Sequence, residues 1–164
     1  DVNALQTAGA LQAAAELAVP VVLMHKQGTP QTMQQAPHYT DVVREVKDFL
    51  QRRVDACLAA GIAQSHIVLD PGFGFGKTAA HNLTLLKHLD EIIALGFPVL
   101  VGLSRKSLIK QVVGTGYGAA VNERLAGSLA LAAIAVEKGA RIVRTHDVRD
   151  TVQAAAVAAA VRAA

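Results

Sequence analysis

Polar residues of the kinds used in catalysis occur in a few short clusters, each directly after a run of apolar residues. The most informative cluster runs Asp70-Pro-Gly-Phe-Gly-Phe-Gly-Lys77. An ionised carboxylate at the end of an apolar strand costs free energy unless hydrogen-bond donors satisfy it. Asp70 is therefore suited to a ligand with two parallel N–H groups, such as an aminopyrimidine edge. The alternative is that Asp70 only caps the turn at Pro71 and Gly72.

The glycines of this loop suggest two nucleotide motifs, and both fail on spacing. Gly76-Lys77-Thr78 matches the end of a phosphate-binding P-loop, but Pro71 stands where that motif needs its first Gly. The glycines follow the pattern G-x-G-x-G, whereas the dinucleotide fingerprint is G-x-G-x-x-G. We therefore expect a loop whose backbone approaches a ligand closely, without either mode of nucleotide binding.

Cationic residues follow the third and fourth apolar runs. Ser104-Arg-Lys106-Ser107 precedes a predicted helix, where free N–H groups and the helix dipole favour an anion. Arg144 and His146 share one side of a strand end, because side chains alternate along a strand, and this pair is suited to clamp a phosphate or diphosphate. Alternatively, the Arg-Lys pair is ordinary solvated surface and His146 is a capping residue.

The first apolar run ends in Met24 and His25. Met24 is suited to line an apolar ligand wall, and His25 is either polar lining or part of the core. The remaining histidines lack a carboxylate partner at helical spacing, so we expect no zinc site among them. They are His38, His66, His81 and His88.

Four short apolar runs rich in β-branched residues predict four strands. They are Val21–Met24, Ile67–Leu69, Val99–Val101 and Ile142–Val143. Their hydrophobicity is continuous rather than alternating, which is typical of a parallel sheet covered by helices on both faces.

Helical patterns fill the intervals between the strands. Three of them end at glycines suited to a left-handed C-cap, namely Gly61, Gly96 and Gly139. Thr40 is the expected N-cap of the first of these helices, and Asp147 can cap the last helix of the chain. An additional helix is predicted from about Leu5 to Leu17.

The element order is one helix followed by four strand–helix units, which is βα architecture within one domain over residues 1–164. Periodicity alone does not decide between a curving barrel sheet and a doubly wound sheet. Every strand carries polar residues at its C-terminal end, which is where active sites of α/β proteins lie.

Composition restricts the possible functions. The chain is 52% hydrophobic and 18% charged with a net charge of +3, and its Lys and Arg residues are scattered, so nucleic-acid binding is not indicated. The single Cys57 excludes an internal disulfide, fits a reducing compartment and is expected to be buried. No apolar run is long enough to span a membrane, and a cytoplasmic protein is expected. The start at Asp1 suggests that an upstream part is absent.

Five motifs together resemble the dihydropteroate synthase family, in order and over essentially the whole chain. They are Leu23-Met-His25 with Gln27-Gly28, Leu69-Asp-Pro-Gly-Phe-Gly-Phe-Gly-Lys77, Gly102-Leu-Ser-Arg-Lys-Ser107, Arg124-Leu-Ala-Gly-Ser128 and Arg144-Thr-His-Asp-Val148. The resemblance implies an α/β fold of the TIM-type (β/α)8 barrel class, of which this chain supplies roughly the last four strands and their helices.

The resemblance also implies a transferase of folate biosynthesis. It would condense 6-hydroxymethyl-7,8-dihydropterin diphosphate with p-aminobenzoate and release pyrophosphate. Mg2+ would assist, with its ligand in the missing N-terminal half and no metal ligand in this chain. The family further implies a homodimer through the later helices and a sulfonamide target, although the susceptibility of this protein is left open.

The resemblance assigns pterin and diphosphate contacts to individual residues. Asp70 would accept hydrogen bonds from the aminopyrimidine edge of the pterin, and Lys106 would donate to its carbonyl and ring nitrogen. Arg144 would stack on the pterin and, with His146, bind the departing diphosphate. Lys106, Arg144 and His146 are therefore the expected catalytic residues. Met24 would line the pterin pocket.

The same resemblance assigns the rest of the pocket. Phe75, Lys106 and Ser107 would frame the p-aminobenzoate site, and Gly102 would line the pterin pocket beside Met24. Lys26 departs from the family, which often has an apolar or neutral residue there. The Asn that precedes the segment in the family and the early loops are missing.

Two alternatives remain open on the sequence. A pterin-binding methyltransferase module shares the barrel and the acidic pterin grip, but the cationic clusters favour a diphosphate substrate. A noncatalytic half-barrel could serve as a binding or dimerisation module. Because half a barrel leaves strand edges unpaired, we expect the fragment alone to be inactive.

Overall fold

The computed structural model describes residues 1–29, 32–33, 35–114 and 120–164. The strands are β1 Val21–Met24, β2 Ile67–Asp70, β3 Leu100–Val101 and β4 Ile142–Val143. The helices are α1 Ala10–Leu17, α2 Val42–Ala59, α3 Ala79–Lys87, α4 Leu89–Ile93, α5 Ser107–Val113, α6 Leu125–Glu137 and α7 Val148–Ala163. Short 3-10 turns cover Gln64–His66 and Val121–Arg124.

The four predicted strands form and run parallel. β1 pairs with β2 in a register that sets Met24 opposite Asp70. β3 pairs with β4 in a register that sets Val101 opposite Val143. The two pairs join where the Leu69 amide donates to the Pro98 carbonyl at 2.9 Å, next to a parallel bridge between Leu69 and Val99.

The strand order therefore follows the chain order without a reversal. A doubly wound sheet reverses its order at a switch point, whereas a barrel sheet adds each strand beside the previous one. The sheet arrangement in the described residues is that of a barrel segment.

Helix α2 forms because its apolar residues recur on one face. Val46, Leu50, Val54 and Cys57 are all nearly inaccessible to solvent, as their spacing predicted. The predicted N-cap is wrong by one residue: the Asp41 carboxylate, not Thr40, accepts the Val43 and Arg44 amides, each at 3.1 Å. An aspartate one residue later offers a charged acceptor at the positive end of the helix.

Two other helices differ from the sequence prediction. The stripe that ends near Gly96 is two helices, α3 and α4, because the backbone leaves helical geometry at His88, with φ −107° and ψ 31°. Helix α1 begins at Ala10 rather than Leu5. Ala4 and Leu5 have positive φ angles and are buried in the core, so these residues form turns that pack without a helix.

The core lies between the sheet and its helices and is built mainly from aliphatic side chains. Its largest fully buried residues are Phe73, Leu23, Leu50, Ile67, Leu69, Leu85, Leu89, Ile92 and Leu103. On the β4 side, a groove of about 1050 Å³ separates the strand from α7. Among the described residues, no helix is long and apolar enough to cross a membrane.

Leu50→Ala tests the packing of α2 against the core. Leu50 is 0% exposed, so we expect its truncation to lower the free energy of unfolding by about 3 kcal/mol through lost burial and a residual cavity. Leu58→Ala is the matched control in the same helix, because Leu58 is 42% exposed and should cost about 1 kcal/mol or less. Urea denaturation measures both, and equal losses would contradict this placement of the helix.

Candidate active site

The C-terminal ends of the four strands meet at one rim. Met24 and Asp70 face each other as the last pair of β1 and β2, and the Asp70 carbonyl accepts the His25 amide at 3.0 Å. Beyond β3 and β4 the chain continues into Gly102 and Arg144. The loops that follow β2, β3 and β4 carry the cationic residues Lys77, Lys106 and Arg144.

The Asp70 carboxyl group lies at the base of this rim and is 4% exposed. Its Oδ1 accepts the Gly72 amide at 2.8 Å, so Asp70 does cap the turn that follows it. Burial raises the pKa of Asp70, while the Gly72 hydrogen bond and the charges of Arg144, Lys77 and Lys106 act in the opposite direction. The turn-capping and the ligand-binding hypotheses are therefore compatible, because three cations also face the carboxyl group.

The glycine-rich loop packs tightly against the loop that follows β1. Gly72 has φ +70°, and a Cβ there would lie 1.7 Å from the His25 carbonyl oxygen. Gly76 has φ +65°, and a Cβ there would lie 2.4 Å from the Gln27 carbonyl oxygen. The Tyr39 hydroxyl donates to the Gly76 carbonyl at 2.9 Å. At these two positions glycine is required by both conformation and space.

Lys77 ends this loop and is 3% exposed. Its Nζ donates to the carbonyls of Gly72 at 2.9 Å and Phe75 at 3.2 Å, and it lies 2.9 Å from Nδ1 of His25. Burial lowers the pKa of Lys77 to about 7, against the opposing charge of Asp70. The sequence predicted no role for Lys77. The one local signal for such a role is a lysine at the end of a glycine-rich loop.

His25 is a core residue rather than pocket lining. It is 6% exposed and makes an edge-on contact with Phe49 at 5.0 Å between ring centroids. Burial first, and then the charge of Lys77, lowers the pKa of His25 to about 3. His25 is therefore neutral at physiological pH, and its Nδ1 can accept a hydrogen bond from the Lys77 ammonium group.

Side-chain contacts extend the pairing of β3 and β4 beyond the strands themselves. The Arg144 guanidinium covers Gly102, where a Cβ would lie 3.0 Å from Nη2. Ser104 Oγ lies 3.0 Å from Nδ1 of His146 and accepts the His146 amide at 3.2 Å. Each of these pairs keeps the register of the strands. Arg144 and His146 border one cavity together with Thr145, so the predicted alternation of these side chains stays a prediction.

Arg105 and Asp147 form the next pair in this register. The guanidinium binds the carboxylate through two hydrogen bonds, at 3.0 and 2.5 Å, and this contact holds the pKa of Asp147 below its usual value. Asp147 is the N-cap residue of α7, as predicted, and its carbonyl accepts the Thr151 amide at 3.0 Å, but no amide of α7 donates to its side chain. Its carboxylate is already engaged by the planar, bidentate donor set of an arginine.

A second set of contacts fixes the backbone of Arg105, which has φ +57°. Its amide donates to Ser128 Oγ at 2.9 Å, and its carbonyl accepts Nη1 of Arg124 at 2.9 Å. Ser128 in turn donates to the Arg124 carbonyl at 2.7 Å. These bonds give the Arg124-Leu-Ala-Gly-Ser128 motif a role that the sequence did not predict: the motif holds the loop that carries Lys106.

Lys106 stands between two cavities. Its Nζ lies 4.5 Å from the centroid of the Phe75 ring, a cation–π distance. One cavity, of about 350 Å³, is bounded by Gly102, Arg144 and His146. The other, of about 440 Å³, is bounded by Gly74 and Ser107 among others.

The charges around Lys106 modify its acidity. Burial and the positive charge of Arg144 lower the pKa of Lys106, and the charge of Asp70 opposes this shift. Ser107 is the first residue of α5, next to Lys106, as the sequence predicted. The described residues thus bring Asp70, Phe75, Gly102, Lys106, Ser107, Arg144 and His146 to one rim.

Met24 is one of the predicted site residues that border neither cavity beside Lys106, together with Asp70 and Phe75. It is 3% exposed. Its expected role in a pocket wall stays a prediction. No group of three or more His, Cys, Asp or Glu side chains in the described ranges could hold a metal ion.

The lowered pKa of His25 predicts how the free energy of unfolding depends on pH. In the unfolded chain His25 binds its proton near pH 6.5, and in the folded chain only near pH 3. Between these values the unfolded state binds more protons, so the free energy of unfolding falls as the pH falls. His25→Gln removes this contribution, and we expect its unfolding free energy to decline less steeply below pH 6.5.

His38→Gln is the control for this experiment, because His38 is exposed. Asp70, whose raised pKa gives the opposite slope in acid, is present in every variant and cancels in the comparison. Urea titrations across this pH range measure the slopes. The same slope in wild type and His25→Gln would show that His25 is not held neutral.

Fold and site together define a segment of an α/β barrel enzyme. A cationic cleft surrounds one buried carboxylate at the C-terminal ends of its strands. A model of the family described as pterin binding enzyme matches residues 1–146. The chain belongs to this family.

Individual relatives agree. The dihydropteroate synthase of Escherichia coli strain K12 is 51% identical over 154 residues, which are 94% of this chain and 53% of that protein. The dihydropteroate synthase of Yersinia pestis, solved with a sulfonamide drug, superposes with a TM-score of 0.93 at 46% identity, covering 99% of this chain and 58% of the other. The dihydropteroate synthase of Xanthomonas albilineans, solved with 7,8-dihydropteroate, superposes with a TM-score of 0.89 at 48% identity. This match covers 100% of this chain and 58% of the other.

These matches confirm the family resemblance and the TIM-barrel class inferred from the sequence. The chain spans a little over half the length of the relatives it matches.

Proposed function

We propose that this chain is the C-terminal half of a dihydropteroate synthase, a transferase that joins 6-hydroxymethyl-7,8-dihydropterin diphosphate to p-aminobenzoate. The observation that supports this most directly is the buried Asp70 carboxyl group facing Lys106 and Arg144. One carboxylate suits the amino edge of a pterin, and an excess of cations suits a diphosphate. Residues 1–164 would form one partial domain of the enzyme.

Asp70 would bind the pterin. A buried carboxylate gains most from donors that replace the water it has lost, and the aminopyrimidine edge offers two parallel N–H groups. Lys106 would donate to the pterin carbonyl and ring nitrogen from the next loop of the rim. Gly102 would line the pterin pocket and leaves room for the Arg144 guanidinium, which a side chain at Gly102 would meet; this guanidinium would stack on the flat ring system. Met24 would support this wall from below.

Arg144 and His146 would bind the diphosphate in the cavity of about 350 Å³. Ser104 engages Nδ1 of His146, so Nε2 is the ring nitrogen left to donate to an anion. The C–O bond between the pterin methylene and the diphosphate breaks, and its electron pair leaves with the diphosphate. Fixed cations at this position stabilise that developing charge.

The cavity of about 440 Å³ would hold p-aminobenzoate. Its wall includes Lys106 and Ser107, and the first amides of α5 favour a carboxylate. The Phe75 ring would lie against the aromatic substrate near Lys106. The amine attacks the methylene carbon, a C–N bond forms, and the nitrogen loses one proton. The enzyme contributes orientation and charge and needs no nucleophile of its own.

Several features of the whole enzyme extend this proposal beyond the chain. Mg2+ ligands are proposed for the other half because the family resemblance implies them there, and no step above depends on them. We also propose a cytoplasmic homodimer that contacts itself through the later helices, and sulfonamide binding like that of the Yersinia pestis relative.

Substitution of the two site cations tests the proposed function. By full-length protein we mean this chain together with the N-terminal half that its relatives possess. In that protein we expect Lys106→Ala and Arg144→Ala each to lower kcat/KM by roughly a hundredfold or more, because each removes a charged donor from the transition state. Lys110→Ala, at an exposed position of α5, is the matched control. Comparable losses in all three variants would contradict the assignment.

The isolated chain provides a second test. We expect purified residues 1–164 with both substrates and Mg2+ to give no turnover, because half of the barrel and its early loops are missing from the rim. The full-length protein should be active under the same conditions, as measured by release of pyrophosphate. Turnover by the isolated chain would refute the first expectation, and an inactive full-length protein would favour the noncatalytic alternative.

A further inference from the structure

Lys77 is a buried cation that the proposed reaction does not use. It is 3% exposed, and burying an ammonium group is costly unless its hydrogen bonds are satisfied. A lysine at the end of a glycine-rich loop resembles a phosphate ligand, but this one points back into its own loop. The position therefore needs a different explanation.

The contacts of Lys77 account for the three donors of an ammonium group. Nζ donates to the carbonyls of Gly72 and Phe75, at 2.9 and 3.2 Å. The third neighbour is Nδ1 of His25, at 2.9 Å, from the residue that follows β1. Two of these acceptors lie earlier in the same loop, so the side chain closes the loop into a ring and ties the ring to β1.

The same peptide units carry the proposed substrate contacts. The carbonyl of Gly72 accepts from Lys77, and the amide of Gly72 donates to Asp70 Oδ1 at 2.8 Å. The carbonyl of Phe75 also accepts from Lys77, and the Phe75 ring lies 4.5 Å from Nζ of Lys106. One buried ammonium thus orients both the group that would grip the pterin and the ring that would frame p-aminobenzoate.

Asn82 holds the loop from its other side. Its Oδ1 accepts the Gly74 amide at 2.8 Å, and its Nδ2 donates to the Thr78 carbonyl at 2.6 Å. Asn82 reaches the outer part of the loop, whereas Lys77 reaches Gly72 and Phe75, which are also joined by the Phe75 amide donating to the Gly72 carbonyl at 3.1 Å. Loss of Lys77 would leave this turn closed and attached to α3, but it would remove the donor to the Phe75 carbonyl and the link to His25 after β1.

Resting on the proposed function, we propose that Lys77 is a positioning residue of the substrate site. Its ammonium group fixes the Gly72 and Phe75 peptides so that the Asp70 carboxylate and the Phe75 ring face the two substrates. Lys77 borders the cavity proposed for p-aminobenzoate, but its donors are directed to the loop and to His25. Such a role predicts that Lys77 affects the binding of both substrates together.

Lys77→Met in the full-length protein tests this role, because it keeps an unbranched side chain as far as Cε and removes the donors of Nζ. We expect KM for both the pterin diphosphate and p-aminobenzoate to rise by about ten- to hundredfold, the range for losing buried hydrogen bonds to a charged group. We expect kcat to fall less than KM rises. Steady-state kinetics below the melting temperature of the variant measure both.

Two controls separate positioning from stability. Lys87→Met removes an exposed lysine of α3 and should leave both KM values unchanged. Leu50→Ala destabilises the core away from the loop and should lower the melting temperature without raising KM. Unchanged KM values in Lys77→Met, or equal increases in Leu50→Ala, would overturn the positioning role.

A third variant covers loss of folding. If Lys77→Met does not fold, Lys77→Gln replaces it, because its amide keeps two donors for the two carbonyls and should give a smaller increase in KM. Unfolding of both variants while Leu50→Ala folds would assign Lys77 a purely structural role and overturn the proposal. A wild-type protein that binds neither substrate would instead defeat the proposed function, so the two failures are distinguishable.

Discussion

The burial of one carboxyl group, that of Asp70, is the constraint on which the site depends. A carboxylate removed from water is unstable unless donors and opposite charges replace the lost hydration. The Gly72 amide supplies one hydrogen bond, and the charges of Lys77, Lys106 and Arg144 also favour the ionised form. These cations come from the loops after β2, β3 and β4, so the loops must converge for the carboxylate to be tolerated.

The convergence produces an imbalance of charge that suits the proposed chemistry. Three cations surround one carboxylate, and the repulsion of Arg144 helps to lower the pKa of Lys106. A cleft with surplus positive charge is relieved by an anionic ligand, and a substrate with a diphosphate leaving group supplies one. Asp70, whose negative charge offsets part of this positive charge, is also the group proposed to bind the neutral pterin ring.

Sequence reasoning succeeded where the signal is local. The β-branched runs predicted β1 and β4 to the residue. A continuous apolar run is typical of a strand covered on both faces, as β1 is, whereas Ile142 of β4 is 40% exposed. Sequence reasoning failed where the partner lies far along the chain. Asp147 carries an N-cap pattern, yet its carboxylate binds Arg105, 42 residues away; Lys77 meets His25 across 52 residues. No local pattern marks such contacts, since they exist only once the strands are paired.

The register of β3 and β4 connects fold and function most directly. Each strand has only two residues, but Ser104 with His146 and Arg105 with Asp147 repeat the same offset of 42 residues beyond the ladder. A slip of one residue would turn every side chain of β4 to the opposite face. It would break both pairs and withdraw His146 from the rim. The contacts that fix the end of the sheet are therefore also the contacts that position His146 in the proposed diphosphate site.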